Sequence, residues 1–149
     1  MKLDSEAATA RLGARLAACL EPGMRIYLHG ELGSGKTTLV RGLLRALGVQ
    51  QGVKSPSYSL VELYVVSSLD LYHFDFYRFT DPREFTDAGL AEYFQGEGVC
   101  LVEWPERAGD TLPPADLELR LGYDGPGRTA SVLALSKTGA QCLEGLRAA

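Results

Sequence analysis

Gly30-Glu31-Leu32-Gly33-Ser34-Gly35-Lys36-Thr37 matches the pattern G-x-x-x-x-G-K-[ST], a loop built to cradle phosphate. Its surroundings decide the fold. The short apolar run Ile26-Tyr27-Leu28 precedes it and reads as a buried strand. Leu39, Val40, Leu43, Leu44 and Leu47 follow at helical spacing, with Gly48 placed to end the helix. Strand, glycine-rich loop and helix in that order are what phosphate binding requires. Glycines let successive N–H groups turn inward, and a helix beginning near Lys36 adds the positive end of its dipole. In such a loop the lysine reaches the β- and γ-phosphates and the hydroxyl of Thr37 ligates Mg²⁺. The chain contains no asparagine, so a guanine-reading Asn-Lys-x-Asp motif is excluded and ATP is favoured by elimination.

Outward from the loop, Leu12, Leu16, Cys19 and Leu20 recur at helical spacing within 4–20, with Asp4 or Ser5 placed as the cap and Pro22-Gly23 as the stop. Residues 58–66 and 69–79 read as strands joined through Ser67-Ser68 into an antiparallel hairpin. Alternation in the second strand sets His73, Asp75 and Tyr77 on one face and Tyr72, Phe74 and Phe76 on the other, the latter being core. Asp81-Pro82 opens a helical run to Phe94 broken only by Gly89. Residues 99–103 form a further buried strand. Residues 117–121 and 129–135 flank Asp124-Gly125-Pro126-Gly127 as a second hairpin, and 138–149 is weakly helical. The expected fold is α/β: a mixed sheet of P-loop NTPase type, with helices on both faces and antiparallel hairpins, in one domain spanning 1–149.

A phosphate loop needs a carboxylate, usually at a buried strand end, to hold the Mg²⁺ shell or polarise an attacking water. Val99-Cys100-Leu101-Val102-Glu103 has that form, and the long arm of Glu103 suits either role. A solvated strand end would look the same. Asp75 is the second candidate, because its strand face also carries His73 and Tyr77, although polar residues alternate outward on any exposed strand. Trp104 follows Glu103 directly, at the expected phosphate side of the sheet, where it covers a ligand or partner or simply packs. His29 reads as a packed neighbour of the loop.

The chain has 149 residues, of which 46% are hydrophobic and 23% charged. Its mean hydropathy is −0.03, an ordinary globular balance. Fifteen Lys and Arg against nineteen Asp and Glu give a net charge of −4, which excludes a broad basic surface for nucleic-acid phosphates. Any RNA is therefore expected to be held by a partner. Cys19, Cys100 and Cys142 are odd in number, far apart and set in apolar segments, which fits reduced core thiols and a cytoplasmic setting. No export signal and no membrane span are expected.

Four segments taken together resemble one family. They are residues 29–38 (HGELGSGKTT), 53–60 (VKSPSYSL), 71–78 (LYHFDFYR) and 100–106 (CLVEWPE), and the family is the bacterial TsaE (YjeE) proteins, the ATPase component of tRNA threonylcarbamoyladenosine biosynthesis. The resemblance spans nearly the whole chain in order, and HFDFYR and EWPE are its specific parts. It implies that Lys36 and Thr37 bind phosphate and Mg²⁺, with Thr38 functional in the same loop. It implies that Asp75 and Glu103 are essential acids near the metal and γ-phosphate, and that Trp104 is a functional tryptophan beside them. Residues 55–58 resemble the family's switch-like segment, with Ser57 and Ser59 where Thr is common, so Ser55 and Ser57 are switch or partner-facing candidates. TsaB and TsaD are the implied partners, with ATP hydrolysis supporting their turnover and tRNA met only through the complex. Two other readings are a small-molecule P-loop kinase and an ATP-dependent binding subunit without catalysis. The kinase reading lacks an Arg-rich lid, since the connections are short and only a modest insert lies near Asp81.

Overall fold

The computed structural model describes residues 1–50, 60–66 and 69–148. Its centre is a sheet whose described strands are β1 (Lys2–Leu3), β2 (Arg25–His29), β3 (Val61–Val66), β4 (Leu69–Asp75), β5 (Val99–Glu103), β6 (Leu117–Asp124) and β7 (Gly127–Ala134), in the order β1-β7-β6-β2-β5-β4-β3. The four middle strands, β6-β2-β5-β4, are parallel, while β1, β7 and β3 add antiparallel pairs at the two sides. The mixed α/β architecture is as the sequence predicts.

The period-two pattern divides the core between two faces. Ile26, Leu28, Leu71, Val99, Leu101, Leu117 and Leu119 face α1 (Glu6–Ala17), α2 (Lys36–Ala46) and α4 (Lys137–Ala148), which contribute Leu12, Leu16, Leu39, Leu43, Cys142 and Leu146. Tyr27, Phe74, Cys100 and Val102 point the other way, against Phe76, Phe79 and Phe85, the last on α3 (Arg83–Asp87). Ser5 caps α1, accepting from Ala8 N at 3.1 Å, so of the two predicted caps Asp4 is not the one used. α1 ends at Ala17, short of the predicted Pro22 stop, because Cys19 N already bonds back to Leu16 O at 3.0 Å.

Several expectations change. β4 stops at Asp75 rather than running to Phe79: Phe76 N still donates to Glu103 O of β5 at 3.1 Å, and Phe79 N then turns back to Phe76 O at 3.0 Å as the chain leaves the sheet. The helical run after Asp81 is split into α3 and a 3₁₀ segment, Leu90–Phe94, by Gly89 at φ 71°. The second hairpin is longer and tighter than expected, with β6 and β7 of 8 residues each meeting at Gly125-Pro126. The polar face of β4 is not solvated, since His73 and Asp75 are both buried.

The thiol reading is corrected. Cys19 and Cys142 are joined as a disulfide with their Cα atoms 5.2 Å apart across 123 residues, while Cys100 is free and buried. Sequence distance hides this pairing, which arises because α4 folds back beside α1. The predicted strand start at 58, the Ser67-Ser68 turn, and Ser55 and Ser57 lie outside the described residues. No helix among the described residues is long and apolar enough to cross a membrane.

Candidate functional site

The parallel register sets three chain segments side by side. Leu28 and Asp75 are both level with Glu103, so β2, β5 and β4 finish together and deliver the glycine-rich loop, Glu103 and Asp75 to one edge. In α/β sheets this carboxyl edge is where ligands bind. A cavity of about 400 Å³ opens there, lined by Leu32, Gly33, Gly35, Lys36, Thr37, Thr38, Asp75, Tyr77, Glu103 and Trp104, with Glu6 of α1 on its rim. A larger hollow of about 700 Å³ lies at the opposite strand ends, beside Pro22, Asp70 and Gly98. Its described lining holds three acids and no basic residue, so it does not suit a polyphosphate.

The loop's shape follows from its glycines. Gly30, Gly33 and Gly35 have φ of 153°, 79° and 108°. A Cβ at Gly30 would come 2.4 Å from Ser34 Oγ and 2.8 Å from Leu121 O, so the conformation and the space both exclude a side chain. Gly35 opens α2 without any side-chain cap, which leaves the first-turn N–H groups to the cavity. Gly30 and Glu31 line a neighbouring hollow, and Ser34 is buried beneath the loop. The hairpin tip braces the loop from outside: Tyr123 Oη donates to Leu32 O, and Arg128 Nε donates to Gly33 O at 3.2 Å. Within the loop, Ser34 N donates to Glu31 O at 3.1 Å, so the turn is held from inside as well. No local signal marks Tyr123 or Arg128, which join the loop only through the sheet order.

Lys36 is only 5% exposed. Its Nζ donates to Gly30 O and to Glu31 O, the latter at 3.2 Å, and lies 4.4 Å from the centre of the Trp104 ring. Burial pushes its pKa below the ordinary lysine value, while Glu103 and then Asp75 pull it back. Trp104 reaches this position because the chain leaves β5 through a left-handed residue, φ 56° and ψ 48°, an unfavourable conformation for a bulky side chain. Its ring packs 5.0 Å from that of Tyr77, and Arg107 lies over both.

The two acids are each fixed. Asp75 Oδ1 accepts from Tyr77 N at 2.9 Å, and Glu103 Oε2 is 2.6 Å from Nε2 of His73. Thr37, Asp75 and Glu103 all line one cavity and offer oxygen donors only, the donor set of Mg²⁺. No group of three or more His, Cys, Asp and Glu suited to a metal occurs among the described residues. The structure thus gathers Lys36, Thr37, Thr38, Asp75, Glu103 and Trp104.

Comparison with known proteins bears on this arrangement. A family model described as threonylcarbamoyl adenosine biosynthesis protein TsaE matches residues 3–130. The tRNA threonylcarbamoyladenosine biosynthesis protein TsaE of Haemophilus influenzae is 39% identical over 142 residues, covering 92% of this chain and 90% of that one. Its namesake from Bacillus subtilis is 44% identical over 103 residues, covering 69% and 64%. A crystal structure of Bacillus subtilis YdiB superposes with a TM-score of 0.85 at 30% identity, over 99% of this chain and 93% of that one. With fold, motif order and sequence in agreement, the chain belongs to the TsaE family of tRNA threonylcarbamoyladenosine biosynthesis proteins.

Proposed function

We propose that this protein is the Mg²⁺-dependent ATP-binding and ATP-hydrolysing subunit of the threonylcarbamoyladenosine machinery. In this reading it supports repeated turnover of a TsaB–TsaD complex in the cytoplasm. The observation that carries the proposal is the convergence of Lys36, Thr37, Asp75 and Glu103 on one cavity at the carboxyl ends of adjacent parallel strands. A net charge of −4 fits a protein that docks to other proteins and leaves the tRNA to them.

The loop amides and the first turn of α2 bind the β- and γ-phosphates, and Lys36 exchanges its bonds to Gly30 O and Glu31 O for phosphate oxygens. Thr37, with Asp75 and Glu103, would hold a Mg²⁺ shell, and the ion would supply charge neutralisation at the phosphates. One of the two carboxylates orients the attacking water and takes its proton on a carboxylate oxygen. Catalysis is positioning and charge stabilisation, which explains why no nucleophilic side chain is needed.

Phosphate release from Mg-ATP by the full chain tests this. Lys36→Ala, Asp75→Ala and Glu103→Ala are each expected to lower turnover by roughly 100-fold or more. Undiminished turnover in Lys36→Ala overturns the site. Reconstituted tRNA modification with TsaB and TsaD should gain multiple-turnover yield from this protein and ATP. Gain with a non-hydrolysable analogue would make it a binding subunit, and a stoichiometric phosphorylated metabolite would make it a kinase.

A further inference from the structure

Among the buried polar side chains of the described residues, His73 alone has no exposed surface. It lies within β4, level with Leu101 of β5 and on the same face as Leu71 and Asp75. A leucine would serve the packing there, because the neighbours on this face of the sheet are aliphatic. An imidazole instead carries two polar nitrogens into the core, which is unfavourable unless they are bonded. One of them is: Nε2 lies 2.6 Å from Glu103 Oε2, and both side chains are at most 3% exposed. Nδ1 has no partner among the described residues. An ionised carboxylate only accepts, so in this contact Nε2 is the donor.

Glu103 has three side-chain torsions to fix before it can hold a metal shell or a water in one place. It stands at the last residue of β5, where the backbone immediately turns away through Trp104. His73 grips one of its two oxygens from within the sheet, and Glu103 also lines the cavity. We propose that His73 is a positioning residue for ATP hydrolysis: through its Nε2–H it holds the Glu103 carboxylate in working geometry without touching the nucleotide. This inference rests on the hydrolytic reading of the site given above. Small misplacements of a catalytic group lower rate far more than affinity.

The test compares substitutions that fill the same space with and without a donor. His73→Leu and His73→Met remove the donor, whereas His73→Gln returns an amide N–H near the position of Nε2. In phosphate release from Mg-ATP by the full chain, kcat should fall roughly 10–100-fold in His73→Leu, with KM changed by less than about 3-fold. His73→Gln should recover most of the loss. Thermal melts identify variants that do not fold, and His73→Met with His73→Gln decides the matter if His73→Leu is among them. Wild-type kcat in a folded variant lacking the donor overturns the proposal, as does a His73→Gln as slow as His73→Met. Wild type and Glu103→Ala run beside them. An inactive wild type fells the hydrolytic reading and this inference together. An active wild type and a dead Glu103→Ala beside a fully active His73→Leu fell this inference alone.

Discussion

The chemistry of the site is concentrated in a few buried ionisable side chains, of which Lys36 makes the sharpest demand on the fold. Its ammonium is kept from water by the loop and Trp104, and burial lowers its pKa despite Glu103 and Asp75 nearby. The folded state therefore gives up this proton at lower pH than the unfolded chain, where the ordinary value of 10.5 applies. Between the two pKa values the unfolded state binds more protons, so this group's contribution to stability grows as pH rises through that window. Lys36→Met keeps the bulk and removes the titration. Urea unfolding at a series of pH values up to about 10.5 should show wild type gaining on Lys36→Met as pH climbs, the other groups cancelling in the difference. A gap independent of pH would show that the lysine is not held in a desolvated place. That a lysine lies here was legible from the motif; that Trp104 caps it was not, because the left-handed turn after β5 has no glycine to announce it.

At the scale of elements, the helix that carries the loop is positioned by close contact with α1. A Cβ on Gly13 would stand 2.0 Å from Leu39 O and 2.8 Å from Leu43 N, and one on Gly42 would stand 2.2 Å from Ala10 O. Both clashes are with backbone, which cannot swing aside as a side chain would. Alanine improves helix propensity by about 1 kcal/mol, but overpacking of this kind costs about 1–3 kcal/mol, and the clash should win. Gly13→Ala and Gly42→Ala are expected to lower the unfolding midpoint and to weaken nucleotide binding as α2 shifts. Gly145 is the contrast, lying within α4 with nothing within 4 Å of its Cβ position. Gly145→Ala should stabilise by up to about 1 kcal/mol, since only propensity changes. Denaturant midpoints for the three variants decide it; a stabilised Gly13→Ala would show that the helices are free to move apart. Periodicity found all the longer elements, because each buries a continuous stripe or an alternating face. It overran β4 at Phe76, where apolar residues continue but the chain leaves the sheet through a turn in which Phe79 N donates to Phe76 O.

For the whole molecule, the site exists only because β4, β5 and β2 are neighbours in the sheet while separated in the chain. The sequence names Glu103 by its strand end and Asp75 by its strand face, and only the family resemblance brings the two together; the parallel register sets them level in neighbouring strands. The same limit explains the cysteines. Cys19 and Cys142 look like unrelated core residues until α4 is folded beside α1, and then they close a loop over 123 residues. In the chain-entropy model a link of that span stabilises by about 5 kcal/mol through restriction of the unfolded state. Cys100 differs, since burial pushes its thiol up to about 12 and keeps it protonated and unreactive at neutral pH. The counts follow for protein purified without reductant and titrated with a thiol reagent near pH 8. The native protein should show almost no reactive thiol, the denaturant-unfolded protein one, and the unfolded, reduced protein all three. Reduction should also lower the denaturation midpoint. Three thiols in the unfolded, unreduced protein would show the pair to be open. A cytoplasmic thiol pool works against the link, so its state in protein trapped with an alkylating reagent at lysis tests the fold and the proposed compartment together.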